Sequence, residues 1–335
     1  MKKERLFAIQ LAILTMLVCF GLAEVLLRAN HREAPRKVRI ENEPTMFGPD
    51  PVLGWRTKPG TYRYAGYTEM AAPIHVTIRD DGSRATHAGP DPAGAPILLL
   101  GDSFTFGWAI SDEETFAWKL QERMPTTGVL DYGASGYGTF QSLLLLEQLR
   151  AKLPVPPSTV LFGFTEVQEE RNVGSIDWLR ALSLYSRRGQ VSVPFVLPGP
   201  DGALVRHPPE SFPQWPLADL SAVVWSAEDA TMRIRGATRV RAKREVTERL
   251  LAAMKETVEK QGARFAVVLL QASPEARQHY REVLAGKGIE VLDCITDTYG
   301  KDGYFVPGEG HPNGATHSLW ARCIEDGLAG GRAAP

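Results

Sequence analysis

Five short apolar runs, separated by helical patterns, constrain the fold of this 335-residue chain more than any other feature. The runs lie at 97–100, 128–130, 159–162, 265–270 and 290–292, and the helical patterns at 113–124, 139–153, 241–261, 274–284 and 315–328. Runs that are apolar throughout are typical of strands buried on both faces, and strand–helix alternation is typical of a parallel sheet. We therefore predict an α/β fold: a three-layer α/β/α, flavodoxin-like parallel sheet of about five strands. Its ligands should bind beyond the carboxyl ends of the strands.

Charge and cysteine content exclude several classes of partner. The 38 Lys and Arg residues nearly cancel the 39 Asp and Glu residues, so no global field favours nucleic acid as a partner. The three cysteines form no CxxC motif and no Cys/His cluster, so we expect neither a metal nor a cofactor. Cys294 and Cys323 are interpreted as two buried thiols, with a disulfide as the alternative in an oxidising compartment.

The N-terminus carries a hydrophobic segment. Basic residues among the first five precede an apolar run at 6–23, which is close to the length that spans a membrane. An uncleaved anchor over 1–28 is favoured over a signal peptide cleaved after 21–23, because more apolar residues follow that position. Basic residues also flank the far side, so charge alone leaves the orientation open. A short tail before a large domain favours a domain on the periplasmic or extracellular side of the cytoplasmic membrane.

The rest of the chain divides by composition. Residues 29–95 are rich in Pro, Gly and charge and are predicted as a stalk with a small β-rich lead-in. Residues 96–332 form the main domain, with an insertion at about 172–238 that fits no strand–helix unit. For the insertion tryptophans Trp178, Trp215 and Trp225, burial within the insertion is favoured over stacking on sugar rings.

Three segments that follow predicted strands carry residues suited to acyl transfer. The first is Gly-Asp-Ser-Phe-Thr-Phe-Gly at 101–107, which places Ser103 at a strand-to-helix turn. A serine there either caps the helix or presents its hydroxyl as a nucleophile. The second segment contains Gly133, and the third, at 307–313, contains Glu309 and His311 just before the last helix.

In this order, the three segments resemble the motif blocks of the SGNH (GDSL-like) hydrolases, and the lead-in resembles membrane-anchored bacterial members. The resemblance covers roughly residues 95–330. It implies Ser103 as nucleophile, His311 as its base and Glu309 as the acid that orients the imidazole. The backbone amides of Ser103 and Gly133 would form the oxyanion hole. The acid departs from the common pattern, because Gly308 stands three residues before His311 and Glu309 only two.

The third block of that family departs further. Where the family has an oxyanion asparagine, the chain has Thr165, and we consider Thr165 or Gln168 as its replacement. Losing one oxyanion donor costs about 2.7–4 kcal/mol of transition-state stabilisation. The nearby glutamates at 166, 169 and 170, next to Arg171, are interpreted as a solvated or salt-bridged helix face rather than a metal site.

These features predict a serine esterase that removes acyl groups, in particular acetyl, from cell-envelope or exported polysaccharide. The substrate would be an acylated carbohydrate or another small ester. One alternative keeps the same site but transfers the acyl group to a glycan hydroxyl. A second alternative, motivated by the missing asparagine, is a non-catalytic glycan-binding or assembly protein.

Overall fold

The computed structural model describes residues 2–34, 45–90, 92–185, 191–298 and 300–330. The chain begins with α1 (Lys2–Ala29) and four short strands, β1 (Phe47–Asp50), β2 (Gly54–Thr57), β3 (Gly60–Tyr64) and β4 (Ile74–Ile78). The next elements are β5 (Ile97–Gly101), α2 (Ser103–Phe106), α3 (Phe116–Arg123), β6 (Val129–Asp131), α4 (Thr139–Leu149) and β7 (Thr159–Thr165). They are followed by α5 (Gln168–Asn172), α6 (Ile176–Tyr185), β8 (Ser192–Pro198), β9 (Leu204–Ser211) and α7 (Ala222–Glu259). The last elements are β10 (Arg264–Gln271), α8 (Pro274–Gly286), β11 (Glu290–Asp293) and α9 (Gly314–Gly330).

The central sheet has five parallel strands in the order β6-β5-β7-β10-β11. When these five strands are numbered 1 to 5 in chain order, their order across the sheet is 2-1-3-4-5, which is the flavodoxin-like arrangement. The predicted fold class is therefore confirmed. In such sheets the crevice for ligands lies outside the carboxyl ends of the strands where the winding reverses, here at β5 and β7.

Helices cover both faces of the sheet. Because side chains alternate along a strand, Leu98 and Leu100 of β5 face one layer and Ile97 and Leu99 face the other. The first layer contains α4, α7 and α8, and the second contains α3 and α9. All four strand residues are buried, which accounts for the uninterrupted apolar run in the sequence.

The segment before β5 shares a core with the main domain. Met46, Leu53 and Trp55 are fully buried and pack in one cluster with Phe106 and Tyr137. A backbone bridge between residues 84 and 131 attaches the segment to the edge strand β6. Much of 45–86 therefore packs on the main domain as a small β-rich unit, while 35–44 of the predicted stalk lie outside the described residues.

The insertion is more regular than its composition indicates. The stretch at about 172–238, predicted as an insertion that fits no strand–helix unit, contains α6, the antiparallel hairpin β8–β9 and the first half of α7. The helix predicted at 241–261 begins at Ala222, 38 residues long, or about 57 Å. Its first half packs on α1 and α6 rather than on the sheet, so it lacks the apolar stripe that would have revealed it.

A disulfide joins Cys294, just after β11, to Cys323 on α9. The interpretation of two free thiols is wrong, because packing of α9 against the sheet brings the two Cα atoms within 5.7 Å. Cys19 is free and exposed on α1. Among the described residues, the helix at Lys3–Ala29 is long and apolar enough to cross a membrane, which makes it a candidate anchor or signal sequence.

Candidate active site

Ser103 lies at the sharp turn that follows β5. It is the first residue of α2, directly after β5, and its side chain is buried. Gly101 has a φ of 154°, and a Cβ there would lie 2.1 Å from the Thr105 hydroxyl. The side chain of Asp102 caps the helix by accepting the amide of Phe104 at 3.0 Å. The glycine and the cap together explain why the motif turns sharply at this point.

The predicted nucleophile, base and acid meet in one hydrogen-bonded relay. Nε2 of His311 lies 3.0 Å from Oγ of Ser103. Nδ1 of the same ring lies 2.8 Å from both carboxylate oxygens of Glu309. A carboxylate in this position selects the tautomer whose Nε2 accepts the serine proton, and it stabilises the imidazolium that results.

The acid is held by contacts that the sequence did not reveal. The indole N–H of Trp108 donates to Oε1 of Glu309 at 3.0 Å, and the backbone amide of His311 donates to Oε2 at 2.7 Å. Trp108 was missed because its partner lies 201 residues later in the chain. These donors fix the Glu309 carboxylate, so a spacing of two residues between acid and histidine is sufficient for the relay.

Arg84 supports the C-terminal end of α2, just after the nucleophile turn, and was also missed as a site residue. Its completely buried guanidinium pairs with Asp112 at 2.9 Å. It also donates to the backbone oxygens of Phe106 and Gly107, both at 2.6 Å, and of Ile110 at 2.7 Å. A cation at these carbonyls satisfies the C-terminal end of α2 and complements its dipole.

Gly133 packs against the nucleophile turn. A Cβ at this position would lie 2.5 Å from the backbone nitrogen of Phe106, so only glycine fits. Its amide donates to Oδ1 of Asp131 at 2.9 Å. Burial raises the pKa of Asp131 to about 7, opposed by the Gly133 amide and the charge of Arg84.

The two side chains considered as replacements for the oxyanion asparagine have other partners. The Thr165 hydroxyl donates to Oδ2 of Asp102. The Gln168 amide donates to the backbone oxygen of Gly163 at 3.0 Å, and both side chains are fully buried. Because α5 begins at Gln168, directly after the turn that follows β7, this side chain folds back over its own strand instead of curling over Ser103.

Arg171 links the loop after β5 to the loop after β6. Its guanidinium donates to Oδ2 of Asp102 at 3.0 Å and to the backbone oxygen of Tyr137 at 2.9 Å, and it stacks on the ring of Trp178. Burial lowers the pKa of Arg171, and Asp102 opposes that shift. The neighbouring Glu169 is fully buried, accepts the Tyr280 hydroxyl at 2.7 Å and pairs with Arg244 at 3.2 Å. Of the two readings of these glutamates, a solvated or a salt-bridged face, the structure therefore shows the salt-bridged one at Glu169.

A cavity of about 1270 Å³ adjoins the relay without being lined by Ser103, Glu309 or His311. Phe104 and Pro312, the neighbours of Ser103 and His311 in the chain, form its near wall, and Trp320 lies among its apolar residues. No group of three or more His, Cys, Asp or Glu residues within the described ranges is arranged to hold a metal ion.

No family model and no curated protein matches the chain. Similar solved structures include TesA, at 14% identity, with 70% of this chain and 98% of that chain covered and a TM-score of 0.43. The psychrotrophic esterase EstA from Pseudoalteromonas sp. is 13% identical, with 72% of this chain and 100% of that chain covered and a TM-score of 0.41. A catalytic mutant of Axe2, an acetylxylan esterase from Geobacillus stearothermophilus, is 10% identical, with 71% of this chain and 95% of that chain covered and a TM-score of 0.40. At these values the likeness concerns the fold alone, and chemistry has to be argued from the side chains at the strand ends.

Proposed function

We propose that this chain is a serine ester hydrolase that works through an acyl-enzyme on Ser103. The observation that carries the proposal is the relay itself, with 3.0 Å from Ser103 Oγ to His311 Nε2 and 2.8 Å from His311 Nδ1 to Glu309. A helix-capping serine does not require a histidine and a carboxylate in line behind its hydroxyl. The relay therefore favours catalysis over a non-catalytic glycan-binding protein.

The reaction follows from these positions. His311 takes the Ser103 proton as Oγ attacks the ester carbonyl, and the imidazolium then protonates the departing alkoxide. Water, deprotonated by the same histidine, attacks the acyl-enzyme, releases the carboxylic acid and restores the serine proton. The proposed oxyanion donors are the amides of Ser103 and Gly133. Since the Gly133 amide already bonds Asp131, it must share or exchange that partner during the reaction.

An acetyl ester on an exported or cell-envelope polysaccharide is the proposed substrate. A cavity lined by Phe104 and Pro312, the chain neighbours of Ser103 and His311, exceeds the volume of about 300–1,000 Å³ that small-molecule sites usually have, which supports a substrate larger than a simple ester. The disulfide suits an oxidising compartment outside the cytoplasm, and α1 suits a single-pass anchor in the cytoplasmic membrane.

A fluorophosphonate probe tests the proposal on the full chain in detergent, with p-nitrophenyl acetate turnover measured on the same samples. We expect labelling and turnover in the wild type and loss of turnover in Ser103→Ala and His311→Ala. Ser158→Ala, at the opposite end of β7, and His279→Ala, on the surface of α8, are the matched controls. A folded wild type that neither labels nor turns over would overturn the proposal. Mass gain by an added acceptor glycan would identify the acyltransferase alternative instead.

A further inference from the structure

Helix α1 is joined to the folded domain by a specific set of hydrogen bonds. The Glu24 carboxylate accepts the Ser221 hydroxyl at 2.9 Å and the amides of Ala222 and Val223 at 2.9 and 3.1 Å. Arg28, one turn later, donates to the backbone oxygen of Leu220 at 2.7 Å. The carboxylate thus satisfies free N–H groups at the start of α7 from a different helix. These bonds hold the 213–221 loop at the level of the last turns of α1.

The same loop presents large apolar side chains to its surroundings. Leu217 is 60% exposed and Leu220 is 68% exposed. Leu217 also has a φ of 66°, an unfavourable conformation for a leucine. The loop is nonetheless well bonded, because the Leu217 carbonyl accepts the amides of both Leu220 and Ser221. A structured turn therefore holds these two leucines outward.

We propose that the 213–221 loop inserts Leu217 and Leu220 into the interfacial layer of the bilayer. The catalytic domain would then contact the membrane at a second point beside α1. The contacts favour the bilayer as the partner of this loop, because the loop is hydrogen-bonded to the end of α1. The apolar surface of α1 is exposed in the fold and needs hydrocarbon around it.

Attachment to the membrane through both α1 and the 213–221 loop would fix the orientation of the domain. A domain connected only through a linker can rotate freely above the membrane, whereas a loop bonded to the helix end and inserted beside it restricts the tilt. The inference rests on the membrane-anchored part of the proposed function. It is independent of the reaction at Ser103.

Site-specific fluorescence on the full chain in lipid nanodiscs tests the inference. In a Cys19→Ser background, an environment-sensitive dye is attached at Leu217→Cys or Leu220→Cys, and quenching by nitroxide-labelled lipid is measured. Met70→Cys, at a position 98% exposed in the lead-in, is the aqueous control, and Leu14→Cys within α1 is the membrane control. Circular dichroism checks that each variant is folded.

We expect lipid quenching at 217 and 220 to exceed that at 70 several-fold. Glu24→Ala, which releases the start of α7, should bring position 220 back toward the control. Quenching at 217 and 220 equal to that at 70, with position 14 strongly quenched, would overturn the docking but leave the anchor intact. No quenching at position 14 would overturn both. A blue-shifted dye at 217 that lipid does not quench indicates a protein partner and also contradicts the proposal. Fluorophosphonate labelling of Ser103 reports separately on the proposed hydrolase.

Discussion

Glu309 holds His311 through both carboxylate oxygens, each 2.8 Å from Nδ1 of the imidazole. The acid and the base are only two residues apart, on a loop that turns through Gly308 and Gly310, whose φ values are 81° and 93°. Such values favour glycine, so the loop bends enough to bring the carboxylate under the ring. The geometry makes the orientation of His311 depend on how well Glu309 is held.

Removing one support of Glu309 should weaken catalysis without abolishing it. Trp108→Phe deletes the indole donor at 3.0 Å, and we expect kcat/KM for p-nitrophenyl acetate to fall by about tenfold or less. Glu309→Gln, which disturbs the tautomer, should lower kcat by on the order of 10²–10⁴. Trp118→Phe is the matched control, because its indole donates to the surface residue Glu122 at the same distance. Equal kinetics for the two tryptophan variants would contradict the support assigned to Trp108.

Arg84 should matter mainly for stability. Arg84→Met leaves the Asp112 carboxylate and three carbonyl oxygens buried without their donor, and we expect a loss of about 3–5 kcal/mol in the free energy of unfolding. Adding Asp112→Asn should recover part of that loss, because it removes the unpaired charge. The measurement is urea unfolding followed by tryptophan fluorescence. Arg123→Met, which breaks the exposed pair with Glu325, should cost about 1 kcal/mol or less, and a similar cost for both arginines would refute the prediction.

Asp131 should make stability fall as pH rises. Its pKa of about 7 in the folded chain lies above the ordinary value of 3.8, so between pH 4 and 7 the folded state binds the proton more tightly. Its contribution is therefore complete below about pH 4 and is lost as pH rises to 7, by up to about 4 kcal/mol. Asp131→Asn should be more stable than the wild type at pH 8, with a smaller advantage at pH 5. Urea unfolding at both pH values checks this, with Asp297→Asn as an exposed control. An advantage that does not change with pH would show that the carboxyl does not titrate as described.

The disulfide should stabilise the C-terminal side of the sheet. Cys294 and Cys323 are separated by 29 residues, and closing a loop of that length stabilises the fold by about 3–4 kcal/mol in the chain-entropy treatment. We expect Cys294→Ala/Cys323→Ala to lose an amount of that order in urea unfolding, while Cys19→Ser changes little. Thiol titration of the unfolded, non-reduced chain should find only Cys19, and three reactive thiols would show that the bond does not form.

The central sheet and the nucleophile turn were predictable because their signals are local. A strand buried on both faces requires an uninterrupted apolar run, and Ser103 follows such a run through a glycine that the turn requires. The α7 boundary was not predictable from local pattern, since residues 222–240 pack on α1 and α6 rather than on a single apolar core. The alternation of strand and helix predicted that the strands run parallel, whereas their order in the sheet came from the structure.

By itself, the sequence determined which residues could take part in acyl transfer and at which strand ends they stand. Only the tertiary structure decided how they are used, because each decision depends on a contact between distant parts of the chain. Folding places Trp108 behind Glu309, directs Thr165 to Asp102 and Gln168 to its own strand, and joins Cys294 to Cys323. A hydrogen bond operates over about 3 Å, and spacing along the chain does not report such distances until the sheet has brought its edges together.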